Sequence, residues 1–476
     1  MAAAAAAQHR DIATLVQACT QSPSSSSARA ALLHLHSMCR TTPQAAQMLT
    51  QAGCVSAAHQ VLAATDSSEA LGLLWSMSAC EGTLPHFTSE ALWDVVRVGR
   101  SSRDSWRKTA SLSTLHNLLC YEGHDGVLSA GSLEFAIDVL NSQEEHENTV
   151  LCAAAKLLDQ CCFDARSKHT AVQRIPIAAI THLLERTLGS DQTATDPAAA
   201  SVVEDCLSLL WNASDDVFFT DGTAWARLTE RMCSQPLLSV LAKCVGTGQQ
   251  NIQQAAAATL HNFACNRVLR GRLKRSEVIA SMPQLLDEEG EGAICCILAL
   301  VELYGNEEEG VGASAVTERA CVCSALVEEL RRRAQAPPAS DQDGSSARMQ
   351  ELVGTRKLLS SIECLASSDR HKTLLVKHGS IPVLLTVLKE RRADVRGTCH
   401  ALNTLSHLLM LEESRIRVPA SDVTDVVRGY ATDLDPRVRS AASAVSYALT
   451  HNLASPPQSD PRWLGPGGGK GGGGGE

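Results

Sequence analysis

Between Ala256 and Cys265 the small or apolar residues at 256, 257, 260, 263 and 264 share one face of a 3.6-residue helix, which predicts a buried helix there. The same arrangement returns at Ser111–Leu118 and at Cys206–Ala213. Each copy has a small residue or cysteine, an apolar neighbour, a leucine three positions on and an asparagine two further on. With the asparagine as a mark, the template fits ten places: Ser37, Ser76, Asn117, Gln160, Asn212, Asn262, Leu303, Cys364, His407 and, more loosely, Leu449. Successive marks lie 39 to 61 residues apart. A repeat near 40–47 residues belongs to stacked units of two or three helices.

A second landmark keeps the same phase. Gly379-Ser380-Ile381-Pro382 is a loop glycine, a proline suited to a first helical turn, and the start of an amphipathic run. Ile175-Pro176, Gln235-Pro236 and Met282-Pro283 are related helix starts, and Gly131-Ser132-Leu133-Glu134 is a version without proline. The distance from such a start to the next mark accommodates one helix, a short turn and a second helix.

These residues resemble the armadillo family, in which Gly-x-Ile-Pro opens the second helix of a repeat and an Asn-bearing third helix lines a groove. The resemblance covers residues 28–453 and implies an all-α, right-handed superhelical α-solenoid of about ten armadillo-like repeats. Residues 1–27 form an Ala/Ser-rich segment with a capping helix. Armadillo-like repeats occupy 28–330, a disordered loop insertion 331–350, and further repeats 351–454. A Pro/Gly-rich flexible tail fills 455–476. The first 65 residues hold a single acid, Asp11. That composition also resembles an organelle transit peptide, whereas Asp11–Cys19 reads as an amphipathic helix closing the stack.

The resemblance further implies that Asn117, Asn212 and Asn262 line a concave groove and clamp the backbone of an extended peptide. An amide offers the donors and acceptors this needs. The same amides could equally hold neighbouring repeats together. Nuclear-import adaptors of the family carry tryptophan four residues before the asparagine. Ser113, Ser208 and Ala258 stand there instead, which disfavours that role. Trp75, His116, Trp211 and His261 share the position before the mark and are candidates either for groove anchors or for packing between repeats.

Composition narrows the chemistry. The chain is 44% hydrophobic but only 3% aromatic, which suits an Ala/Leu-packed stack and leaves little for base stacking. Its formal charge of −10 argues against a polyanion binder. Two basic runs, Arg267–Arg275 and Arg97–Lys108, could dock an acidic segment or be solvated helix faces. The acidic runs near 144–147, 287–291 and 307–309 fall at turns. The 18 cysteines form no Cys-x-x-Cys pair, and many sit in apolar helical runs, so they read as reduced core residues of a cytoplasmic protein. Nuclear or cytoskeletal and ciliary association stay open. No P-loop, nucleophile elbow, dinucleotide fingerprint or zinc motif is present, and no apolar run is long enough to span a membrane. The expected function is therefore a non-enzymatic scaffold or adaptor, without metal or cofactor, that binds a protein through an extended or helical segment. A GTPase regulator and an architectural subunit of a cytoskeletal or ciliary assembly are the alternatives.

Overall fold

A computed structural model describes residues 2–40, 43–121, 124–142, 146–163, 165–189, 196–215, 222–282, 291–304, 320–337, 344–390 and 393–450. Among these the fold is all-α, with no strand. All ten marks fall in helices, and each lies within the last turn of its own helix. The acidic runs at 287–290 and 307–309, Pro283 and the 455–476 tail lie outside the described residues.

The chain divides into two compact units, Met1–Ala299 and Leu300–Glu476. In the first, six marked helices follow in order: α1 (Ser26–Cys39), α2 (Ser68–Ser78), α3 (Ser105–Leu119), α4 (Asn148–Cys161), α5 (Pro197–Ser214) and α6 (Gln250–Cys265). Each packs directly on the next, making an unbroken row. A companion row runs Cys54–Thr65, Ser89–Ser101, Ser132–Asn141, Ile177–Leu188, Gln235–Val245, Val278–Ser281, again each on the next. In the second unit α7 (Gly344–Leu365), α8 (Val395–Leu409) and α9 (Pro436–Thr450) form a marked row, accompanied by Ala320–Gln335, Ser380–Lys389 and Ala420–Arg428. This is the packing of a helical repeat stack.

Local signals explain the elements. Ser25, Ser67, Asp104 and Asp394 accept from backbone amides at the starts of α1, α2, α3 and α8, at 2.7–3.2 Å. Three companion helices begin after a left-handed glycine: Gly53 (φ 82°), Gly131 (φ 87°) and Gly379 (φ 78°). That conformation lets the chain reverse between a short helix and the next one, and a Cβ would strain it. The core between the rows is leucine, alanine, valine and cysteine. Leu71, Leu112, Leu158, Leu207, Leu260 and Leu402, all on marked helices, are fully buried.

Helix Ala2–Gln21 packs on α1 and on Cys54–Thr65, burying Ile12 and Cys19. Helix also occupies both flanks of the stretch at 331–350, where sequence composition suggests a loop. Ala320–Gln335 carries through the arginine run because Glu329 bonds Arg332 and Arg333 at 2.6–2.7 Å, one turn away. It ends two residues before Pro337, as the proline requires. Helix α7 then begins at Gly344. The described cysteines are all free thiols. Cys161, Cys162, Cys206, Cys296 and Cys323 are buried, Cys152, Cys295, Cys364 and Cys399 half-buried. Burial pushes the Cys54 and Cys244 thiols up to about 12, so they stay protonated.

Candidate partner-binding surface

A helix leaves its last four carbonyls without partners. In this chain the mark of one row helix reaches back to the final turn of the helix before it. Asn117 Nδ2 on α3 donates to Ser78 Oγ on α2 at 3.1 Å. Gln160 on α4 donates to the Leu119 carbonyl on α3 at 3.5 Å. Asn262 on α6 donates to both the Trp211 carbonyl and Ser214 Oγ on α5, each at 3.0 Å. In the second unit the Cys364 thiol points at the Val301 carbonyl, 3.8 Å away. Asn212 differs in its acceptor: its Nδ2 donates to Asp159 Oδ1 on α4 at 2.7 Å.

Asp159 occupies the position just before the mark, the one held elsewhere by Trp75, His116, Trp211 and His261. It also accepts from Ser208 Oγ at 2.9 Å. Two other acids stand at the same position, both in the second unit. Glu302 accepts from Ser360 Oγ at 3.3 Å, and Glu363 accepts from Asn403 Nδ2 at 2.9 Å while its second oxygen meets His400 Nδ1. Ser208, Ser360 and Asn403 each stand four residues before the next mark. A fourth junction follows the rule sterically: a Cβ placed on Gly72, four before the mark at Ser76, would lie 3.2 Å from the ring of His36. Position minus one on one helix therefore faces position minus four on the next. The aromatic and imidazole residues drew attention to that position in the sequence, and the three acids there were missed. An acid before one mark, with Ser or Asn four before the next, is the signal that finds them.

Burial pushes the Asp159 carboxyl up to about 6, although Asn212 and Ser208 favour its charged form. Burial also raises Asp205 on α5, opposed by the Lys156 ammonium 3.6 Å away. Burial lowers His116.

Asn262 and His261 are each 2% exposed and so are enclosed within the row. Trp75, His116, Asn117, Trp211 and Asn212 are half-buried. His116 Nε2 lies 3.9 Å from Cys120 Sγ, and His261 Nε2 lies 3.5 Å from Cys265 Sγ, one turn along the same helix in each case. The row brings Trp75 and His116 onto the neighbours α2 and α3, and Trp211 and His261 onto the neighbours α5 and α6, with α4 between the pairs.

Five cations of the two basic runs bind the fold to itself. Arg97 reaches Asp66 and Asp94 at 2.9 Å, Arg100 reaches Asp138, and Arg107 donates to Ser68. Arg270 and Arg272 donate to the carbonyls of Ala264 and Cys233 at 2.8 and 3.1 Å. No described helix is long and apolar enough to cross a membrane.

No protein-family model matches the chain, and no curated protein matches it. The likeness found is one of fold. The crystal structure of an engineered protein, a Northeast Structural Genomics Consortium target, is similar with a TM-score of 0.62 at 18% identity, covering 93% of this chain and 99% of that one. A second engineered protein from the same consortium covers 53% of this chain and 96% of its own at 19% identity, with a TM-score of 0.43. The first likeness agrees with an all-helical architecture along most of the chain.

Proposed function

We propose that the chain is a non-enzymatic interaction scaffold or adaptor of the armadillo type. In this reading the marked row lines the concave groove of a right-handed superhelix and takes an extended or helical segment of a protein partner. The observation that carries it is the unbroken packing of α1 to α6, which sets equivalent polar positions of successive helices side by side. The left-handed glycines opening companion helices support the armadillo assignment. A surface built from packed helices is formed before the partner arrives, so little ordering cost falls on the receptor. Trp75, His116, Asn117, Trp211 and Asn212 are the side chains offered to the partner. His261 and Asn262 serve the same surface from beneath by fixing α6 to α5. Free, protonated thiols suit a reducing compartment, and we place the protein in the cytoplasm.

The test is photo-crosslinking in cells, with the crosslinking residue at Ser113 or Trp211 on the marked row, or at Trp93, which is 57% exposed on the companion row. Discrete protein adducts from the marked-row positions are expected. Adducts from Trp93 alone would overturn the reading and favour the architectural-subunit alternative.

A further inference from the structure

Within the first unit, α1 to α3 differ from α4 to α6 in the large apolar groups they leave open. Leu33 on α1 is 56% exposed and Trp106 on α3 is 41% exposed, large apolar groups that the fold does not cover. They belong to one strip. The rings of His36 and Trp106 both lie over Gly72, where a Cβ would sit 3.2 Å from His36 Cε1 and 3.4 Å from Trp106 Cη2. Leu33 is one turn before His36 on α1, and Trp75 one turn after Gly72 on α2, so both adjoin that contact.

The charges around the strip are lopsided. Arg29, Arg40 and Arg103 are exposed, and among the described residues none lies within salt-bridge distance of a carboxylate. Arg29 on α1 stands one turn before Leu33, Arg40 at the end of α1 stands one turn after His36, and Arg103 stands three residues before Trp106, so all three flank the strip. Its two acids are engaged: Glu69 accepts the Ser67 hydroxyl at 2.6 Å, and Asp104 caps the Trp106 amide at 3.0 Å. In a chain of net charge −10, this end is locally positive.

From these observations we infer that the strip formed by Leu33, His36, Gly72, Trp75 and Trp106 docks an acidic protein segment through one bulky apolar side chain. The side chain seats against Leu33 and the Trp106 ring, and the segment's carboxylates lie among Arg29, Arg40 and Arg103. Apolar burial supplies the anchor, and the arginines select the flanks and speed encounter. The inference rests on the marked row being the interaction face and narrows it to α1–α3.

Three fluorescein-labelled peptides test it against the full chain by anisotropy: leucine/tryptophan anchors flanked by Asp and Glu, the same anchors flanked by Lys, and the acidic flanks with alanine at the anchors. The acidic anchored peptide should bind at least about tenfold more tightly than either control, and less tightly as salt rises. Leu33→Ser and the double variant Arg29→Glu with Arg40→Glu, all exposed positions, should each weaken it at least about fivefold with helicity unchanged. Equal binding of the alanine peptide would mean charge attraction without a site. Absence of binding, indifference to both variants, or a strip occluded by dimerisation in sedimentation would also overturn the inference. Adducts at Ser113 or Trp211 would still stand in those cases, so the failure of the strip is separable from failure of the row.

Discussion

The junction between α4 and α5 and the junction between α1 and α2 use the same two helix positions for opposite ends. At the first, Asp159 faces Ser208 and Asn212, and its oxygens are taken up by donors from the next helix. At the second, His36 faces Gly72, which has no side chain, and a tryptophan ring from α3 covers the gap. The first junction is closed by hydrogen bonds within the stack. At the second the facing positions meet by packing, and Leu33 and Trp106 face water. One position in a repeat can thus be tied by hydrogen bonds in one copy and filled by packing in another, and the residue type decides which.

The largest effect expected from this contrast is at Asn262. Replacing it with alanine removes its hydrogen bonds to the Trp211 carbonyl and to Ser214 Oγ, leaving that carbonyl only the Ser214 hydroxyl, and should cost about 2 kcal/mol in urea unfolding. A loss below about 0.5 kcal/mol would place Asn262 outside the cohesive set.

Next comes Asp159. Its folded-state pKa, near 6, lies above the usual unfolded value, so the unfolded chain ionises first. Stability from this group is full below about pH 4 and is lost as pH rises through the folded value. Asp159→Asn should remove that decline and stabilise the protein by about 1–2 kcal/mol near neutral pH. The surrounding Asp205, Lys156 and Lys168 are retained in that variant. A pH–stability curve that keeps the parent's fall between these values would show that Asp159 is not its source.

Glu363→Gln should cost about 1 kcal/mol, because one charged acceptor shared by Asn403 and His400 becomes a neutral amide. The smallest effect is expected at the open junction: Leu33→Ser should change stability by no more than about 0.5 kcal/mol while weakening peptide capture. A large stability loss there would make Leu33 part of the core and erase the difference between the two junctions.

The order of the marked helices was legible from residue type because apolar spacing alone dictates which face of each helix is buried. All ten marks, from Ser37 to Leu449, lie in the last turn of a helix. The roles of the asparagines were not legible. Their partners lie 39 to 53 residues back in the chain, and only the packed row shows that those donors meet the last turn, or the minus-one acid, of the preceding helix. Asp159, Glu302 and Glu363 escaped notice for the same reason, since an acid at a helix end reads as a solvated surface residue until its donors are seen. The basic runs misled in the opposite direction. Arg97, Arg100 and Arg272 are close in sequence to other cations, but each reaches an acid or carbonyl outside its own helix. At 331–350, Pro337-Pro338 and the Asp/Ser/Gly stretch suggest a loop, while Glu329 holds the preceding arginines in helix up to Gln335.

A double-mutant cycle on Asn262→Ala and Ser214→Ala, followed by urea unfolding, most directly tests whether marked residues tie one helix of the row to the next. Tethering predicts a coupling energy of about 1 kcal/mol between the two substitutions. Losses that simply add, to within about 0.3 kcal/mol, would contradict it.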